Sequence, residues 1–157
     1  MQWQTAMAST RVRRGNILGA MSVLATLAVI EAGCAGSLLE SAVPGRWYTR
    51  NQVKQGQEVY QAYCAVCHSA EAQGAANWQE RGALGFYPAP PLDGSGHTAN
   101  HSLEQLLGTI ASGGAPMGGS MPAFVDVLSD AEQAATVAHF QSLWPDKAYA
   151  GWQGSDN

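Results

Sequence analysis

An all-α fold is what this sequence predicts, with three or four short helices joined by long loops. Three observations lead there. Apolar residues recur at helical intervals in three segments, two of which open on a capping pair. No segment alternates apolar and polar residues as a half-buried strand does. Between the first two helical segments lie roughly 30 residues rich in glycine and proline, a length that in a small domain usually serves function or wraps around something.

The first helix runs from Asn51 to about Tyr63. Val53, Gln57 and Tyr60 fall at helical spacing, and so do Val59 and Tyr63. Gly56 sits inside it at a cost near ~1 kcal/mol relative to alanine, the mark of a close backbone approach. Residues 69–101 are irregular and carry Gly74, Gly82, Gly85, Pro88, Pro90, Pro91, Gly94 and Gly96. The second helix is in "HSLEQLLGTIASGG". Ser102 caps it with Gln105 three residues on, Leu103, Leu106, Leu107 and Ile110 form its apolar face, and Gly113-Gly114 stops it. "APMGGSMPAFVDV" is a second loop. The last helix, in "LSDAEQAATVAHFQSLWPD", opens on the box Ser129–Glu132, carries the stripe Val137, Phe140 and Trp144, and ends at Pro145.

The 157 residues suit one domain. Residues 1–35 read as a signal peptide or membrane anchor, 36–50 as a linker, 51–145 as the domain and 146–157 as a tail. Arg11, Arg13 and Arg14 form a basic start, followed by a mostly apolar run from Ile17 to Ile30. That run fits the ~7–15-residue core of a secretory signal and falls short of the ~20 residues that span a bilayer. Three endings stay open. "EAGC" resembles a bacterial lipoprotein box ending at Cys34, with Glu31 where that motif has a Leu-like residue. Cleavage after Ala35 is the second. An uncleaved anchor from Ile17 to Leu39 is the third. The expected place is the periplasm or the outer face of the cytoplasmic membrane. From residue 35 onward five basic and eleven acidic residues leave a net charge of −6. Nucleic acid is therefore excluded as a partner, and a basic docking face on another protein is expected.

"VYQAYCAVCHSAE", residues 59–71, holds the chemistry. Cys64, Cys67 and His68 suit a zinc half-site, a redox dithiol or a covalently held haem. Zinc needs four ligands, which His97 and His101 would complete, but Cys67 and His97 are far apart for a classical finger. A redox dithiol expects a strand before the CxxC, and a helix precedes it here. Haem attachment uses all three residues: two thiols add to the two vinyl groups, and the adjacent histidine reaches the iron. Export suits it, because such attachment happens outside the cytoplasm. A sixth ligand would come from Met117 or Met121 in the second loop. Met121 is favoured by Pro122 beside it and the capped helix soon after.

"CAVCH", "APPLDG", "SMPAF" and "LSDAEQAATVAHFQSLW", in that order over residues 51–145, resemble the class I (mitochondrial-type) cytochromes c, in particular the bacterial monohaem members. The resemblance implies a small cytochrome c fold around one haem c, with Cys64 and Cys67 as thioether sites, His68 as proximal ligand and Met121 as distal ligand. It further implies that the Pro90 carbonyl accepts from His68, that Leu92 contacts the cofactor, and that the Gly56–Tyr60 helix crosses the terminal helix at Phe140. Trp78, Phe86 and Tyr87 have no counterpart and are expected over the haem edge; Tyr149 and Trp152 pack on the body or meet a partner. With both axial positions filled, such an iron passes single electrons between a donor and an acceptor protein. The rival readings are a haem enzyme or gas-binding protein with an open distal site, and a haem subunit of a larger membrane redox complex.

Overall fold

A computed structural model describes residues 41–154. Residues 1–40, and with them the leader and Cys34, lie outside the described residues. Among the described residues five helices follow one another: α1 (Arg50–Tyr63), α2 (Ala65–His68), α3 (Leu103–Ser112), α4 (Asp130–Ser142) and α5 (Asp146–Gly154). Single 3-10 turns stand at His97–Asn100 and Ala115–Met117. The described residues form no strand, only the isolated bridges Ala42–Thr49 and Tyr87–Gly119. The fold is all-α, as the sequence predicts. Among the described residues no helix is long and apolar enough to cross a membrane.

Capping fixes where three of these helices begin. Ser102 with Gln105 and Ser129 with Glu132 form the expected reciprocal boxes. A third box opens α1. The Gln52 amide N–H donates to Thr49 Oγ1 at 3.2 Å, and the Thr49 N–H donates to the Gln52 side chain at 2.9 Å. Each box satisfies two backbone donors that a helix start leaves orphaned.

The central packing is α1 against α4. A Cβ at Gly56 would overlap the Ala135 carbonyl and press on His139 Cβ, so only glycine lets the two backbones meet. The close approach is therefore to Ala135 and His139, the latter next to the expected Phe140. Tyr60 lies against the His139 ring, with centroids 5.1 Å apart. Phe140 points instead into the core with Tyr48, Leu106, Ile110, Val137, Trp144, Tyr149 and Trp152.

Helix α4 is buried on nearly every side, polar residues included. Most of those residues find partners, while His139 Nε2 and Gln141 Nε2 have none. Gln133 Nε2 donates to Leu128 O at 3.0 Å, Thr136 Oγ1 donates to Glu132 O at 2.8 Å, and Gln141 Oε1 accepts from Trp47 Nε1 at 2.6 Å.

Residues beyond both ends of the α1–α4 span close the core. Pro145 ends the run of α4 and also starts α5, its carbonyl accepting from Ala148 and Tyr149. Tyr149 and Trp152 of α5 are buried, and Tyr149 packs edge-on against Tyr48 from the segment read as a linker. Arg46 lies 3.7 Å over the Tyr149 ring and pairs with Asp146 at 2.7 Å. Trp152 Nε1 donates to His101 O at 2.8 Å, so its buried ring keeps its polar edge satisfied.

Candidate haem site

The CxxCH segment is folded as one helical turn at the end of α1. Cys64 closes α1, its N–H donating to Tyr60 O at 2.8 Å, and opens α2, its carbonyl accepting from Cys67 at 3.1 Å and His68 at 2.9 Å. Positions three and four apart on a helix are neighbours, so this turn sets Cys64 on the same side as Cys67 and His68. Both thiols are free. Burial, and then the neighbouring Cys67, push the Cys64 thiol up to about 11. A redox dithiol works through a thiol pulled the other way.

His68 is 7 % exposed. Its Nδ1 lies 2.9 Å from the Pro90 carbonyl oxygen. A carbonyl only accepts, so the proton is on Nδ1 and the Nε2 lone pair is free for a metal. Burial holds the ring below the ordinary histidine range, with the Pro90 bond opposing in part. The ring is neutral at physiological pH, as ligation requires.

The loop after α2 folds back to present that carbonyl. Ser69 and Ala72 adopt positive φ (66° and 61°), which turns the chain sharply after His68. Tyr60 OH donates to Ser69 O at 2.9 Å and anchors the turn to α1. Gly74, also at positive φ, lies so close to residues 89–91 that a Cβ would come within 2.5 Å of the Pro90 carbonyl carbon. The strap 89–92 then has every carbonyl engaged. Ala89 O accepts from Ala75 N at 2.9 Å and Pro90 O from His68 Nδ1. Pro91 O accepts from Thr98 Oγ1 at 2.7 Å and Leu92 O from Trp144 Nε1 at 2.8 Å.

The two methionines differ in setting. Met117 is 58 % exposed at the end of a 3-10 turn. Met121 is half-buried against the core with Phe124 and Leu107. Its carbonyl accepts from Gly114 N at 3.0 Å, and Phe124 N donates to Ile110 O at 3.1 Å, which ties this loop to the end of α3. Leu92 is likewise half-buried against the core. Trp78 stacks on His97 at 5.0 Å, while Phe86 and Tyr87 are partly exposed and Tyr87 lies under Arg81 at 4.4 Å.

Among the described residues no three His, Cys, Asp or Glu side chains are gathered as a metal would need. The zinc set Cys64, Cys67, His97 and His101 is therefore not assembled; His97 packs on Trp78 and edge-on to His101. Two open surface hollows, one between the 97–100 turn and α5 and one along α3, include neither cysteine nor His68. The donor chemistry, not the depth of a hollow, locates the site.

Two paired thiols and a neutral histidine with a free Nε2 fit a covalently held haem. Sequence reasoning singles out Cys64, Cys67 and His68, and the Pro90–His68 bond it expects is present. It missed Thr98 and Trp144 as supports of the strap, which have no signal of their own in sequence. The Thr49–Gln52 box did have one, in "TRNQ".

No curated protein matches the chain. The family model described as cytochrome c oxidase, cbb3-type, subunit III matches residues 51–140, more than half of the chain, from the start of α1 to the close of α4. The chain belongs to this family of c-type cytochromes, which bind haem and transfer electrons.

Proposed function

We propose that this protein is a monohaem electron carrier working outside the cytoplasmic membrane. Cys64 and Cys67 would hold the haem as thioethers, His68 Nε2 would bind the iron on one side and Met121 on the other. The observation that carries this reading is the His68–Pro90 bond, which leaves only Nε2 to face a metal. When bound, the haem supplies single-electron chemistry at its iron. The chain does the rest. His68 is kept neutral and oriented, the half-buried Leu92, Leu107 and Phe124 would lower the dielectric around the haem, and a thioether from Met121 would favour the reduced state.

Donor and acceptor are redox proteins, and the acidic surface suits a basic docking face on them. A leader with Arg11, Arg13 and Arg14 before an apolar run supports export, with Cys34 as a lipid site or the run itself as an anchor. The family description names an oxidase subunit, which favours a second reading, a haem subunit held within a larger membrane complex. Absorption spectra of the oxidised and reduced protein, with and without carbon monoxide, test the ligation. A reduced spectrum unchanged by carbon monoxide is expected. A shift on adding the gas means an open iron and a binding or catalytic role. Extraction in mild detergent separates a lone carrier from a complex by size.

A further inference from the structure

We infer that Thr98 and Trp144 are positioning residues for the iron's proximal side, acting through the 89–92 strap; this rests on His68 being the ligand. Both prolines of the strap have φ locked by their rings, and neither has an N–H to satisfy. Ala89 and Pro90 each precede a proline, which confines them to extended ψ. The soft torsions left are φ of Ala89, whose own carbonyl is held by Ala75, then ψ of Pro91 and the torsions of Leu92. Those of Pro91 and Leu92 are what the directions of the Pro91 and Leu92 carbonyls report. Thr98 Oγ1 holds the first at 2.7 Å, and Trp144 Nε1 holds the second at 2.8 Å.

Both donors are themselves fixed. Thr98 is 4 % exposed, in the 3-10 turn His97–Asn100. Trp144 is 3 % exposed and packs between Phe140, Tyr149 and Trp152. Gly96 also lies against the strap, where a Cβ would come 3.0 Å from Pro91 O. Trp144 lies past residue 140, where the family match ends. The closure of the core by α5 is thereby linked to the carbonyl that holds His68. A firm Nδ1–H···O bond gives the imidazole more negative character, which stabilises the oxidised iron. A slack strap weakens that bond and raises the reduction potential.

The test uses the holoprotein, first shown to contain haem c, so that failure to bind haem is separated from failure of this inference. Thr98→Val keeps shape and loses the donor; Thr98→Ser restores it; Trp144→Phe keeps an aromatic ring and loses the N–H. Reduction potential and exchange of the His68 Nδ1 proton by NMR are read in each. Thr98→Val and Trp144→Phe are expected to raise the potential and to speed exchange about tenfold, the scale of one lost hydrogen bond. Thr98→Ser is expected to match wild type. A merely structural role would lower the melting temperature of both variants with potential and exchange unchanged, and that result overturns the inference.

Discussion

Nδ1 of His68 donates to the carbonyl oxygen of Pro90 at 2.9 Å, across 22 residues of chain. Several features of the intervening loop bear on this contact. Two non-glycine residues turn through positive φ, Gly74 presses against the strap, and the strap's carbonyls are each engaged. The loop's lack of regular structure reflects a path fixed by individual hydrogen bonds rather than by a ladder.

Gly56→Ala should destabilise the protein by about 3 kcal/mol, the upper range for overpacking, because the added methyl overlaps the Ala135 carbonyl and neither backbone can retreat. Denaturant unfolding of the holoprotein measures it. Gly108→Ala, where a Cβ meets nothing, is the control and should be neutral or stabilising. Equal stability of wild type and Gly56→Ala would show that the α1–α4 crossing is wider than described.

Acid should loosen the same crossing. His139 is buried beside Tyr60 with its Nε2 unpartnered. Burial lowers its proton affinity below the ordinary value of 6.5, with Glu71 opposing in part. The unfolded chain then takes up the proton more readily than the folded one, so stability is full above 6.5 and falls as pH drops below it. His97 shifts the same way, through burial and then the His101 charge. His139→Gln should flatten the acid side of the stability curve relative to wild type. An unchanged slope would mean that other groups govern acid sensitivity.

The closure by α5 should contribute as much as a core helix. Trp152→Ala removes a ring packed on Trp144 and Tyr149 and its bond to His101, at a cost of roughly 3–5 kcal/mol. Thermal unfolding reads this directly. A loss below about 1 kcal/mol would mark α5 as an appendage.

Much of this was legible in the sequence because it is encoded locally. The boxes at Ser102 and Ser129, the Val137–Phe140–Trp144 stripe and the CxxCH turn each depend on residues within a few positions. What escaped depends on distant partners. For Tyr149 and Trp152 the sequence leaves packing on the body and meeting a partner equally open, because their burial involves Tyr48, about a hundred residues away. Pro145 reads as a stop, and the sequence alone does not say that it is also a start. The crossing fell at Ala135 and His139 because a glycine marks a close approach but not the residue it approaches. Thr98 and Trp144 are ordinary residues whose importance lies wholly in which carbonyl they meet.

Met121, not Met117, should be the iron's sixth ligand, given its half-buried setting and the tether of its loop to α3. The far-red absorption band of a methionine bound to oxidised iron should vanish in Met121→Ala and persist in Met117→Ala. The reverse pattern assigns the other sulfur, and a wild type without the band points to a different ligand.

The central claim is that Cys64 and Cys67 hold one haem covalently beside His68. Intact mass of the purified protein under denaturing conditions tests it most directly. The account predicts a chain carrying the mass of one haem, lost in the Cys64→Ser, Cys67→Ser double variant. A wild-type chain of bare polypeptide mass, from cells that make other c-type cytochromes, would contradict it.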